Sequence, residues 1–551
     1  MAWLLFDLRR TMSPGWDEAS IGANALTLAD LLRRGEFAAA FDDFHRARFY
    51  PPLGWLGHTI AFLTIGEHWR DARIATVLAW GASVLIAARL ARRLVAAELA
   101  DAAALATVVL ALLSWLAVDL ASIAMLESWC SLAIGATALL FVRAHERGTR
   151  ASGLAAGLSL GVLSLVKYNY GVLGYGIFGA AEGYGCLRSW ILARRGAPDE
   201  SHTRRVVPWI ALGAAIIPVW WYVLPLPAGL ATARQHREMT GMWLQFSWGL
   251  GGLEARDLLY VYPILACGSV LALGLQIGGV VRAAWNAAVP AQRICALIAV
   301  AGPAAVAVYK HREERFLVPT LVAAWPLAGG CAAALVDSCV SRFLGKGSPR
   351  AAAARAAGLA VLLASTVGTT GAWSPLLVRL AKPNDPAGSV DRFGDRIARW
   401  ARAPWNAHKT EAGRVVDVRL AALEAAGRHL DVRQPFTWLN GAADEFPRPG
   451  VVWYLLTKTG NHTLLGTTAQ DTDVLMGNPG WDEAAFDRWV SRYPQVVVLD
   501  PPFGDEDGSG RAEWNHFRWM GKNPQFRVRA EEKVEANGAT VWRVIVYERI
   551  L

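Results

Sequence analysis

Apolar residues dominate the first two thirds of this chain in blocks of helix length, not in the alternation of half-buried strands. From about residue 71 to 374 they recur in segments near the roughly 20 residues that a helix needs to cross a hydrocarbon core; after Ser374 they stop. The pattern predicts ten spans, at about 71–90, 99–118, 121–142, 152–166, 168–186, 206–224, 257–282, 293–309, 315–338 and 356–374. Ahead of them, Ile21, Ala25, Leu28 and Leu32 form one stripe before the chain turns polar at Arg33, Arg34 and Glu36. That spacing predicts a helix lying along a membrane interface within residues 20–45. The apolar run 53–65 is too short to span and reads as interfacial too. Three parts follow: 1–70, a first outer loop with interfacial helices; 71–374, a transmembrane helical domain; and 375–551, a linker and a soluble α/β domain. In the last part, 412–428 has helical spacing, 451–456 and 495–499 read as strands, and 526–549 reads as a hairpin turning at Asn537-Gly538. The segment 376–410 is the linker.

Composition supports this division. Of 551 residues 54% are hydrophobic, and the mean hydropathy of +0.27 is too apolar for an ordinary soluble surface. The net charge of +9 resides in short clusters between apolar spans, where Lys and Arg set topology, so nucleic acid is not an expected partner. Arg89, Arg92 and Arg93; Arg143, Arg147 and Arg150; Arg188, Arg194, Arg195, Arg204 and Arg205; Arg282 and Arg293; and Arg342, Lys346, Arg350 and Arg355 fall on one side of the predicted alternation. That side is cytoplasmic by the positive-inside rule. The opposite, outer side receives Asp17, Asp119, the Lys167 region, the long loop 225–256, the cluster Lys310 to Arg315 and everything beyond Ser374. The 6 cysteines have no paired spacing and read as small buried hydrophobes.

Several residues on that outer side carry candidate chemistry. Asp17 and Glu18, in Pro14-Gly15-Trp16-Asp17-Glu18-Ala19, place carboxylates where one can act as a general base towards an attacking hydroxyl or amine. The same hexapeptide recurs at Pro479 to Ala484, and Asp also favours plain helix starts, so the motif alone does not decide between the two roles. Glu127 is an ionisable residue in the first turns of a span. It either faces a polar cavity or reaches water at the interface. Asp119, eight residues earlier, serves the same cavity if one helix carries both. Lys167, followed by Tyr168, either snorkels or suits a phosphate held at headgroup level. Arg312 and Arg315 offer forked donors for a phosphate, or pair with Glu313 and Glu314. His58, His236 and His311 lack metal-ligand spacing. Asn461-His462-Thr463 matches a glycosylation acceptor pattern and is read as chance.

In order, these features resemble the GT-C glycosyltransferases: the early Asp-Glu, Tyr50-Pro51-Pro52-Leu53, Asp71-Ala72-Arg73, Met125-Leu126-Glu127-Ser128, Val166-Lys167-Tyr168 and Arg315-Phe316-Leu317-Val318-Pro319. The likeness is to bacterial relatives of protein O-mannosyltransferases and of the aminoarabinose transferase that modifies lipid A, and it covers about residues 11–340. It implies a polytopic α-helical fold in the cytoplasmic (inner) membrane, to which the composition and spacing beyond residue 375 add an extracytoplasmic α/β domain. It further implies a polyprenyl-phosphate-linked sugar as donor and a lipid, glycan or protein as acceptor. Asp17 would be the base or orient the acceptor, with Glu18 beside it. Lys167 and Arg315 would sit near the lipid phosphate, Glu127 would border the sugar pocket, and Tyr50, Tyr168 and Arg312 would complete the substrate contacts. Some members of the superfamily use a divalent metal, and the sequence leaves both options, with a metal and without, open here. The family has a transmembrane helix before the acidic loop, where this chain has about ten residues. Two other classes compete: a lipid or solute transporter, which would show paired broken helices in two related halves, and a membrane anchor without catalysis.

Overall fold

The structure is a computed structural model that describes residues 16–45, 51–67, 69–195, 203–223, 269–308, 314–345, 349–368, 425–431, 434, 436–440, 483–500, 519–536 and 539–550. Its helices are α1 (Trp16–Arg33), α2 (Phe37–His45), α3 (Leu53–Thr64), α4 (Trp69–Ala91), α5 (Ala100–Leu113), α6 (Trp115–Ala121), α7 (Glu127–Arg147), α8 (Arg150–Val166), α9 (Tyr168–Arg194) and α10 (Thr203–Pro218). They continue with α11 (Val270–Trp285), α12 (Pro290–Val308), α13 (Val318–Leu344), α14 (Pro349–Gly368) and α15 (Glu483–Val490). The strands are β1 (Phe436–Asn440), β2 (Gln495–Asp500), β3 (Phe526–Ala536) and β4 (Ala539–Arg549). Among the described residues three helical stretches are long and apolar enough to cross a membrane: Asp71–Ala91, Arg315–Leu344 and Arg350–Val367. Arg150–Val166 and Leu271–Trp285 are shorter apolar helices.

Chain contacts define two compact units. One comprises Met1–Phe6, Ala38–Gly57 and Arg73–Ala407; the other comprises Asp7–Phe37, His58–Ala72 and His408–Leu551. The first unit is organised around α13, whose residues from Val318 to Gly330 are all buried, as expected of a helix that is apolar on every side. Small residues let its neighbours approach to backbone distance, the usual device where lipid supplies no hydrophobic drive between helices. A Cβ on Gly329 would lie 2.2 Å from Thr107 Oγ1 of α5, and Thr107 Oγ1 donates to Trp325 O at 3.4 Å. Ser131 of α7 donates to Val318 O at 3.3 Å. Between α8 and α10 the approach is closest at Gly157 and Gly213, where an added Cβ would meet Ile210 O at 2.1 Å and Leu154 O at 2.4 Å. α10 ends in the π-helical turn Val219–Val223, which brings Trp221 to stack on His45 of α2, with ring centroids 4.8 Å apart. Away from this core, His145 of α7 and Glu182 of α9 form a buried pair at 2.8 Å.

Several expected boundaries shift for local reasons. The span at 99–118 is interrupted at Ser114, whose ψ of 87° leaves the helical region and separates α5 from α6. The span at 121–142 becomes α7, starting only at Glu127. Asp119 and Glu127 therefore share no helix, because the chain leaves α6 at Ala121 and turns before Glu127; the side chain of Asp119 lies outside the described residues. The span at 168–186 extends to Arg194. Of the span at 257–282 only the part from 269 is described.

In the second unit, α1 is the predicted early helix. Its stripe residues Ile21, Ala25 and Leu28 are 1%, 0% and 3% exposed, so this face is covered by protein. The expected single helix over 20–45 breaks at Gly35, whose φ of +71° suits glycine. Thr59 donates to Ala25 O at 3.2 Å, and the Arg33 guanidinium reaches both Glu67 and Phe62 O. The sheet of this unit has the order β1-β2-β4-β3, parallel between β1 and β2 and antiparallel elsewhere. Val496, Val497 and Val498 of β2 are all buried, as befits a central strand with both faces covered. Phe486, Val490, Tyr493 and Met520 pack on one of its faces. β3 is an edge strand carrying Arg527, Arg529, Glu531 and Lys533, charges that discourage further pairing. Strand 495–499 and the hairpin 526–549 match β2 and β3–β4. The turn Asn537-Gly538, the strand 451–456, the linker 376–410 and the Asn461 pattern lie outside the described residues.

Candidate functional site

The first unit gathers its candidate residues at one junction. Glu127 is the first residue of α7, and Lys167 is the single extended residue, with φ −158° and ψ 118°, between α8 and α9. The α7–α8 hairpin closes the forty-residue gap between them, so that Lys167 Nζ lies 3.0 Å from Glu127 Oε1 with both side chains enclosed, 5% and 0% exposed. Neither the Glu127 carboxylate nor the Lys167 ammonium reaches water as a snorkelling group would. Glu127 stands at the helix N-terminus, where the dipole favours an acidic side chain.

Aromatic rings frame the ammonium. Lys167 Nζ lies 5.8 Å from the Tyr170 ring centroid and 5.1 Å from that of Phe316, and Tyr170 Oη donates to Phe316 O at 2.9 Å. The 3₁₀ turn Glu314–Leu317 carries Arg315, whose guanidinium carbon lies 5.3 Å from the same Phe316 ring. The two cations thus share one aromatic neighbour. Polar capacity is left over: among the described residues Glu127 Oε2, Ser128 Oγ and Asn169 Oδ1 are enclosed without a hydrogen-bond partner, and Ser128 is 0% exposed. Such orphaned polar atoms are rare in a finished core and mark where a ligand, ion or water belongs.

The start of α3 seals this junction from the side. A Cβ on Gly54 would lie 2.5 Å from Val166 O and 3.2 Å from the Leu126 side chain, and one on Gly57 would lie 2.1 Å from the Trp129 ring. Gly54 and Gly57 thus press α3 against the neighbours of Lys167 and Glu127, giving the Pro-Pro-Leu-Gly-Trp run a concrete role. Trp55, 1% exposed, anchors it.

The other sequence candidates fall elsewhere. Asp17 and Glu18 belong to the second unit, in the first turn of α1. Glu18 is 3% exposed, and the Asp17 side chain lies outside the described residues. Both copies of the hexapeptide lead into helices, α1 and α15. Facing Glu18 electrostatically is His58 of α3, which the sequence had weighed only as a metal ligand. Complete burial holds its imidazole down to about 4, with Glu18 opposing the shift. Tyr168, half-buried, opens α9 beside Lys167; Tyr50 and Arg312 lie outside the described residues. Among the described residues no three His, Cys, Asp or Glu side chains gather as a metal-ligand set, and Glu127 is already engaged by an ammonium. Ser128 and Phe316, which belong to the ordered motifs, and Tyr170, two residues beyond one, join the site; only their proximity in sequence to Glu127, Arg315 and Lys167 signalled them.

These elements build a mostly helical fold with three helices long and apolar enough to cross a membrane among the described residues. Two solved structures share it: ArnT from Cupriavidus metallidurans in the apo state, with a TM-score of 0.56 and 16% identity over 100% of this chain and 96% of that one, and ArnT from the same organism bound to undecaprenyl phosphate, at 0.52 and 14% over the same shares. The apo oligosaccharyltransferase of Archaeoglobus fulgidus matches at 0.43 and 11%, over 91% of this chain and 68% of that one, a level at which a shared fold does not follow. No family model and no curated protein matches the sequence.

Proposed function

We propose that the protein is a membrane glycosyltransferase that moves a sugar from a polyprenyl-phosphate donor to a lipid, glycan or protein acceptor on the outer face of the membrane. The observation that carries this reading is the enclosed Lys167–Glu127 pair with its leftover polar atoms, on a fold shared with a protein that holds undecaprenyl phosphate. In the reaction, an acceptor oxygen or nitrogen attacks the anomeric carbon as the bond to the lipid phosphate breaks, with inversion. The acceptor proton passes to a base, for which Asp17 is the candidate, with Glu18 next to it. Negative charge grows on the departing phosphate, and preorganised cations in a dry site stabilise it most effectively. Lys167 and Arg315 fill that role, with Arg312 the further candidate. Tyr50 and Tyr168 contribute to the substrate pocket, and Glu127 holds Lys167 in position before the donor arrives.

Mass spectrometry of cell-envelope lipids and glycans tests the proposal in cells. Deleting the gene removes a glycosylated species, the wild-type gene restores it, and Asp17→Asn does not. Full restoration by Asp17→Asn removes the assignment of Asp17, and an unchanged envelope on deletion argues against the transferase itself.

A further inference from the structure

The resting site is electrically closed: one ammonium and one carboxylate, 3.0 Å apart, with almost no exposure. Lys167 directs its charge to Glu127 Oε1 and to the faces of Tyr170 and Phe316. An arriving lipid phosphate adds at least one negative charge beside that ammonium. Two anions then compete for Lys167, the cation paired with Glu127, and like charges in a poorly solvated site disfavour full ionisation of both. Glu127 is the less supported of the two, because its Oε2 makes no hydrogen bond. Around it among the described residues lie Lys167 from the α8–α9 junction, Tyr170 facing that ammonium, Cys130 on its own helix, and Arg315 on the 3₁₀ turn, placed over the Phe316 ring. Where α13 and α3 meet this junction they present the Val318 carbonyl, Gly54 and Gly57; the titratable His58 follows Gly57 on α3.

Resting on the reading of this site as one for a lipid phosphate, we infer that polyprenyl phosphate enters by exchange of partners: Lys167 passes from Glu127 to the phosphate, and Glu127 takes up one proton from the solvent. The step balances as carboxylate plus proton to carboxylic acid, with no bond to the lipid made or broken. The new O–H donates to a phosphate oxygen or to Ser128 Oγ, whose bonding capacity is unused in the resting state. Glu127 thereby turns from the competitor of the phosphate into one of its donors. Binding therefore weakens as pH rises, by up to about tenfold per unit once proton uptake is complete.

The test is calorimetric titration of the purified full-length protein in detergent with undecaprenyl phosphate, in two buffers of different ionisation enthalpy, for wild type and Glu127→Gln. Titration of the lipid's own phosphate is common to both proteins, so the difference in protons taken up reports Glu127. The expected difference is roughly one proton, and the affinity of Glu127→Gln is less sensitive to pH. Equal proton numbers with binding intact overturn the inference and leave the lipid-phosphate reading standing; no binding by the wild type overturns both. Should Glu127→Gln fail to fold, infrared difference spectra of the wild type decide. A carboxylic-acid carbonyl band that appears on saturation with the lipid supports the exchange, and its absence refutes it.

Discussion

Removing Lys167 takes the ion-pair partner from an enclosed carboxylate. Lys167→Met keeps the side-chain volume and the contacts with Tyr170 and Phe316, but it leaves Glu127 fully enclosed and unpaired. Breaking a buried pair from one side costs about 3–5 kcal/mol. Glu127→Gln is milder, because the Lys167 ammonium keeps two aromatic faces at 5.1 and 5.8 Å, worth about 0.5–2 kcal/mol each when desolvated. The double variant removes both charges and is more stable than Lys167→Met alone, since a neutral replacement of a buried pair is often tolerated. Denaturant or thermal unfolding of the four proteins in one detergent gives the coupling energy of the cycle, expected at about 2–3 kcal/mol and barely changed between low salt and about 0.5 M salt, because enclosed charges escape ionic screening. Strictly additive single variants, or a coupling that vanishes in salt, would refute the geometry of the pair.

Gly57→Ala places a Cβ 2.1 Å from the rigid Trp129 ring and Gly54→Ala places one 2.5 Å from Val166 O. Each is expected to lose about 1–3 kcal/mol, whereas Gly183→Ala, with open space around it inside α9, keeps the melting temperature at or slightly above wild type, because Ala is the better helix former. His58 is held neutral, from 6.5 down to about 4, so the folded protein is expected to lose stability as pH falls through this window, by roughly 3 kcal/mol in total at about 1.4 per unit. Melting curves at neutral and mildly acid pH should show that loss in wild type and its reduction in His58→Gln. Glu532 is held below the usual carboxylate range by hydrogen bonds from Arg428 and His429. Its contribution to the sheet is present above the ordinary carboxylate range and disappears as pH falls through its lowered folded value. Because the group is largely solvated, Glu532→Gln should change stability by less than about 1 kcal/mol.

Much of this arrangement was legible from chemistry that is costly in an apolar chain. Glu127 and Lys167 stood out because an ionisable group inside a membrane segment needs a reason. That they pair with each other was not legible, because forty residues and a helical hairpin separate them. The break between Asp119 and Glu127 carries neither Pro nor Gly, so the sequence continued one span through a turn. Gly54 and Gly57 looked like ordinary members of a short apolar run; their function lies in the absence of a Cβ against Val166 and Trp129, which only packing reveals. β1, five residues following Pro435, is too short to raise a periodic signal. The stripe of α1 predicted the helix but not its cover, since protein and lipid select the same apolar face. Conversely, the acidic hexapeptide is now tied more firmly to helix starts, with α1 and α15 following its two copies.

The central claim is that the chain transfers a sugar from a polyprenyl phosphate by way of Lys167. Its most direct test is to incubate the purified protein with a radiolabelled polyprenyl-phosphate sugar and an extract of cell-envelope acceptors. The account predicts label transferred to an acceptor by the wild type and none by Lys167→Met/Glu127→Gln, in which the site is neutral and more stable than in Lys167→Met alone. Equal transfer by that folded double variant would contradict it.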